Sequence, residues 1–279
     1  MLNQLKKDWE TMKRALLAVF CIIAVCSLLA VPLLLRPVNP PDALQSSVTS
    51  AINFIKGTNE PNALLLLDVM HRRFGIAEFA DALQRYDQVV VEGWREEALL
   101  RLFRRIADYN NPLRPGDLDA VYIDIDRLTV PALYCDRQGV SPNYTVMLDE
   151  AVRSGRYLLT HALLACIWIQ ENGCEVPVPD GFIENVYHAN AALIGDDPVV
   201  DDLELEAAAL LYLAGQGVLV DPAFVERVIA VQNNDGGWLS SSDMSGESHW
   251  HATVLGLLLL LHVENPSNSY PPMLAPPSL

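Results

Sequence analysis

Basic residues are scarce in this chain. Lysine and arginine number 19 against 35 aspartates and glutamates, for a formal charge of -16. Nucleic acid is excluded as a natural partner, because phosphate binding needs a basic footprint. Cysteine is scarcer, at five residues, and no C-x-x-C pair occurs. A zinc ribbon or a dithiol redox motif is therefore unsupported. A P-loop, a G-x-G-x-x-G turn, a G-x-S-x-G elbow and an H-E-x-x-H helix are all missing. Their absence removes the usual signatures of nucleotide binding, serine hydrolysis and zinc proteolysis. Strand-forming sequence is thin as well. Only "QVVVEGW" and "DAVYIDIDRLTV" are β-branched or alternating enough to compete with helix.

Apolar residues are abundant, at 51% of 279, so most of the chain can bury a core and is not disordered. Residues 15–35, "ALLAVFCIIAVCSLLAVPLLL", carry no charge and approach the ~20 apolar residues of a bilayer span. Lys6, Lys7, Lys13 and Arg14 precede them. The positive-inside rule then puts residues 1–14 in the cytoplasm and the main domain in the periplasm or outside the cell. A cleaved signal peptide is the alternative. Its apolar core is shorter, about 7–15 residues, and ends at a small-residue site, which is not evident here. A proline-stiffened linker, 36–41, leads to one domain at 42–264. The proline-rich tail, 265–279, reads as disordered or draped over that domain. Cys21 and Cys26 lie in the apolar span. Of the rest, Cys135 could pair with Cys166 or Cys174, although buried free thiols are the simpler expectation.

The domain has a helical texture. Apolar residues recur at three and four spacing in some ten segments, with Gly, Pro, Asn and Asp between them. Amphipathic segments such as "FIENVYHAN" and "FVERVIAVQ" alternate with nearly wholly apolar ones, "THALLACIWI", "LELEAAALLYLA" and "WHATVLGLLLLL". The first kind suits an outer layer and the second an inner one. Aligning the apolar segments brings His161, Glu206 and His251 into register, with equal steps of 45 residues.

The stretch "QNNDGGW", followed by a polar loop and "HATVLGLLLLLH", resembles the QW repeat of terpenoid cyclases and the related repeat of protein prenyltransferase beta subunits. The likeness rests on Gln232, Asp235, Gly236, Gly237 and Trp238. It implies an all-α fold in which an incomplete α/α toroid of helical hairpins follows the transmembrane helix. The motif is architectural. Its glycines let the chain turn sharply, Gln232 can serve a neighbouring helix end, and Trp238 can stack over that amide. The resemblance also implies a cavity rim at the starts of the inner helices, where prenyltransferases hold zinc. His251 could match the metal-binding histidine, with Asp202 or Glu206 as carboxylate. The Asp-x-Cys pair of that family is absent.

His161, Glu206 and His251 are thus candidate catalytic residues, and a candidate metal set with zinc as the possible cofactor. Each has a plainer expectation beside it. Glu204 follows Asp201 at capping-box spacing. His161 could serve a helix end, and His262 fits a C-terminal cation. His249 and His251, two positions apart, cannot share a helix face. In "DIDRLT", Asp124 and Asp126 resemble part of a cyclase acid motif, but both, like Asp117 and Asp119, are expected to be solvated. Two functions follow. One is a membrane-held module that binds a small hydrophobic ligand or a protein partner. The other is an acid–base or metal-assisted enzyme acting on a lipid-like or glycan substrate.

Overall fold

The computed structural model describes residues 40–91, 97–240, 246–267 and 269–275. The expected anchor at 15–35 lies outside them. Among the described residues no helix is long and apolar enough to cross a membrane. The chain divides into two units, Met1–Ala43 and Leu44–Leu279, and every contact described below lies in the second.

The described residues are all-helical, with no strand. In order they form α1 (Pro40–Ile55), α2 (Pro61–Phe74), α3 (Ala82–Val91), α4 (Glu97–Phe103), α5 (Asp124–Leu133), α6 (Cys135–Gln138), α7 (Tyr144–Ser154), α8 (Arg156–Glu171), α9 (Phe182–Ala191), α10 (Asp202–Leu213), α11 (Pro222–Ala230) and α12 (Trp250–Glu264). Both β-like stretches fold differently from their local propensity. Val89 and Val90 end α3, and "DIDRLTV" belongs to α5. Val89, Val90 and Val130 are buried there, and burial outweighs the small helix penalty of a β-branched residue.

Local signals explain the helix ends. Pro61 and Pro222 open α2 and α11, where a missing N–H costs nothing. Asp201 and Glu204 form a reciprocal capping box on α10. Two kinds of helix result. α10 and α12 are buried along almost their whole length, whereas α7, α9 and α11 bury one stripe each. The buried helices contact one another in sequence: α5 with α8, α8 with α10, α10 with α12, and α12 with α2, while α4 lies against α5.

The turn between α11 and α12 is built on the QW residues. Gln232 donates through Nε2 to the Ser47 carbonyl of α1, 3.0 Å away, and to the Gly236 carbonyl at 2.7 Å. It therefore joins the last helical pair to the first helix. Gly236 has φ +96°, and a Cβ on it would lie 2.3 Å from the Ser50 carbonyl oxygen. Asp235 accepts from the Gly237 N–H and the Ser248 hydroxyl. The Trp238 indole packs elsewhere than the sequence suggests. It is buried against Gly256 of α12 and donates to the Val228 carbonyl at 2.8 Å.

One expectation is corrected. Cys135 and Cys174 form a disulfide, leaving Cys166 as the buried free thiol, so the preference for three free thiols fails. Cys135 begins α6 and Cys174 follows α8, a juxtaposition set by long-range packing. Of the two readings of the tail, the draped one describes residues 273–275. Met273 and Leu274 are buried, and their N–H groups donate to the two Glu171 carboxylate oxygens at 2.7 and 2.9 Å. Arg72 donates to the Met273 carbonyl at 2.9 Å, and the Ala275 N–H to the Ile106 carbonyl at 2.8 Å.

Candidate functional site

His161, Glu206 and His251, 45 residues apart in sequence, meet in space. Each sits in the first turn or two of an inner helix, α8, α10 and α12 respectively, and those helices are in contact. His161 Nδ1 lies 3.1 Å from Glu206 Oε1, and His251 Nε2 lies 3.6 Å from Glu206 Oε2. One turn before Glu206, Asp202 approaches His251 Nδ1 at 3.4 Å. The result is an alternating chain of carboxylate and imidazole: Asp202, His251, Glu206, His161.

Neighbouring groups fix this chain. Thr160 donates to Glu206 Oε1 at 2.5 Å. Tyr157 and Ser240 place their hydroxyls on Asp202 Oδ2 at 2.7 and 3.2 Å. His161 Nδ1 is also 2.8 Å from the Tyr157 carbonyl. That carbonyl can only accept, so Nδ1 carries the proton. The contacts of His251, at 3.4 and 3.6 Å, are longer than good hydrogen bonds. His249 does not join the site. It caps α12, accepting through Nδ1 from the His251 N–H.

Electrostatics distinguish the central pair. Burial alone pushes the His161 imidazole down, but the Glu206 charge, its hydrogen bond and the Tyr157 carbonyl outweigh burial and raise it above its usual range. For Glu206, burial raises the carboxyl, yet the charge and hydrogen bond of His161, the Thr160 hydroxyl and His251 together lower it. Both shifts favour an ion pair. Among the described residues no three His, Cys, Asp or Glu side chains are arranged to hold a metal ion. The three candidate side chains and Asp202 form a directly paired chain of carboxylates and imidazoles.

His161 and His251 border a cavity of about 320 Å³. Its walls are mainly apolar, including Leu65, Leu99, Phe103 and Leu164, with Trp168 and Met273 at the other end of the inner helices. Asp126 also lines it. This corrects the expectation that both acids of "DIDRLT" are solvated. Asp126 is only 4% exposed, and its charge helps raise His161. Asp124 is exposed and faces Arg127 at 3.8 Å. Asp126 and Thr129, three residues apart on α5, share the cavity face, a signal that the acid-motif likeness obscured. Asp117 is likewise buried, paired with Arg101 at 3.1 Å.

His262 is corrected too. It is 1% exposed, where a cation at a helix end would meet water. Its Nδ1–H donates to the Leu258 carbonyl at 2.7 Å, and Nε2 accepts from Arg73 Nε–H at 3.1 Å. Burial and the adjacent Arg73 charge depress its pKa to about 4, so the ring is neutral.

Comparison with known proteins found no matching family model, no similar curated protein and no similar solved structure.

Proposed function

We propose that the domain is an incomplete α/α-toroid-like ring whose central cavity binds one small amphipathic molecule. The observation that carries this reading is an apolar cavity with a polar end built from Asp126, His161 and His251 and backed by buried carboxylates. Apolar walls with a few convergent polar groups are what small-ligand sites have in common, and about 300 Å³ is the lower end of their size range. The contact order of the inner helices and the Gln232–Ser47 seam support the ring.

The polar end selects the ligand. Three carboxylates, Asp126, Asp202 and Glu206, stand against two imidazoles, of which His161 is held in its charged form. An anionic head group would meet an acidic surround and is disfavoured. A hydroxyl or amine can donate to a carboxylate, and His161 has Nε2 to offer. The protein is proposed to act at an extracytoplasmic membrane surface, tethered by residues 15–35. The Cys135–Cys174 bridge supports that compartment, because disulfides persist in oxidising surroundings.

Photolabelling with an octanol carrying a terminal diazirine tests the reading. Adducts are expected on cavity residues such as Trp168 and Phe103, displaced by octanol and much less by octanoate. Labelling spread over the outer helices alone, or equal competition by octanoate, would overturn it. A second reading, acid–base conversion of the bound molecule, is favoured by Glu206 behind His161, since a carboxylate fixes the tautomer and basicity of an imidazole. A bound compound chemically changed by the parent, and recovered intact from His161→Ala, would support that reading. Unchanged recovery from both would oppose it.

A further inference from the structure

The tail reaches the cavity beside Trp168, two helical turns along α8 from His161. Met273 is 2% exposed and borders the cavity. Its Sδ accepts from Trp168 Nε1 at 3.3 Å. Its main chain is held on both sides, by Glu171 at the N–H and Arg72 at the carbonyl. Leu274 and Ala275 are clasped just beyond it, by Glu171 and by Ile106. Five consecutive anchoring interactions therefore hold one flexible side chain against the cavity floor. A thioether is well suited to this place, because it fills irregular space without demanding a polar partner.

We infer that Met273 sets the length of alkyl chain the cavity accepts, acting as a specificity-determining floor supplied by the tail. The inference rests on the ligand reading above. With the polar end fixed at Asp126, His161 and His251, the remaining dimension runs along the inner helices toward Trp168 and Met273. Shortening Met273 to alanine removes three heavy atoms from that path and makes room for roughly two more methylenes. Each extra buried methylene is worth roughly fourfold in affinity, so a chain two methylenes longer should gain roughly sixteenfold.

The test is diazirine photolabelling of the full-length protein with a homologous series, hexanol through dodecanol, read by peptide mapping of Phe103 and Trp168. Mapping separates cavity adducts from alkanol dissolved in lipid. In the parent, labelling should peak within the series and then fall. Met273→Ala should move the fall about two carbons longer, with roughly sixteenfold more labelling by the member two carbons beyond the parent's limit. Met273→Phe should move it shorter, and Met273→Leu should leave it in place. Thermal melts identify any variant that does not fold, and the phenylalanine and leucine variants then carry the test. Cavity labelling with one unchanged length limit in every folded variant would overturn the role of Met273 while leaving the ligand reading intact. No cavity labelling of the parent by any member would overturn both.

Discussion

At the scale of single residues, Glu206 carries the most. Its two oxygens serve Thr160 and His161 on one side and His251 on the other. Glu206→Gln keeps the shape and removes the charge. Burial then acts on His161 with less opposing it, so its titration should move downward. Imidazole NMR shifts against pH would show this, and an unmoved titration would mean that Glu206 is not the group that raises His161. Stability should fall by about 1.5–3 kcal/mol, the range for hydrogen bonds to charged groups. The sign follows from linkage. His161 is raised, so its contribution is full below its unfolded value of 6.5 and is lost as pH rises through the folded value. Glu206 is lowered, so its contribution is present above 4.5 and is lost in acid. The loss on substitution is therefore greatest at about pH 5–6 and smaller in alkali.

At the scale of elements, the seam between α11 and α12 makes a prediction against helix propensity. Gly256 lies within α12, where alanine should favour helix by about 1 kcal/mol. A Cβ there would meet the Trp238 ring at 2.9 Å. Gly256→Ala should instead destabilise by about 1–3 kcal/mol, as overpacked cores do. A chemical denaturation midpoint at or above that of the parent would contradict this. The same seam shows what sequence patterning could and could not reveal. Helical periodicity, the two apolar textures and the 45-residue register carried enough information to place His161, Glu206 and His251 at corresponding points of inner helices. Gln232 and Trp238 were legible as a turn device. Their partners, Ser47 and Gly256, were not, because such contacts depend on how distant helices meet. Asp126 was obscured by its exposed neighbours Asp124 and Arg127, which suggest a solvated helix start. Met273 sits among prolines, whose composition suggests a disordered or draped tail and names no anchor. Its anchors, Glu171 and Arg72, look like ordinary helix-end charges until the fold brings them together.

For the whole molecule, two histidines pull the pH dependence of stability in opposite directions. His262 packs among Phe74, Tyr212 and Tyr270 and accepts from Arg73. Its pKa is depressed to about 4 from 6.5. As pH falls through that interval, the unfolded chain binds a proton that the folded chain refuses, and stability declines by roughly 3 kcal/mol. His161 costs stability on the alkaline side. Thermal melting temperature should therefore peak near neutrality. His262→Gln, which can keep a donor toward Leu258 and an acceptor toward Arg73, should flatten the acid limb. An acid limb of unchanged steepness would assign that decline to other groups.

The seam also governs the order in which the domain can be assembled. Gln232 reaches back 185 residues to Ser47, and Arg72 reaches forward 201 residues to Met273. Adjacent hairpins can form from nearby sequence, but these closures require almost the entire domain. Loop entropy is spent before such distant contacts repay it. A chain emerging from its N-terminus must therefore hold the parts of α1 and α2 that meet α12, the Gln232 turn and the tail uncovered until those segments arrive. During synthesis those first helices are the surface that a chaperone has most reason to shield.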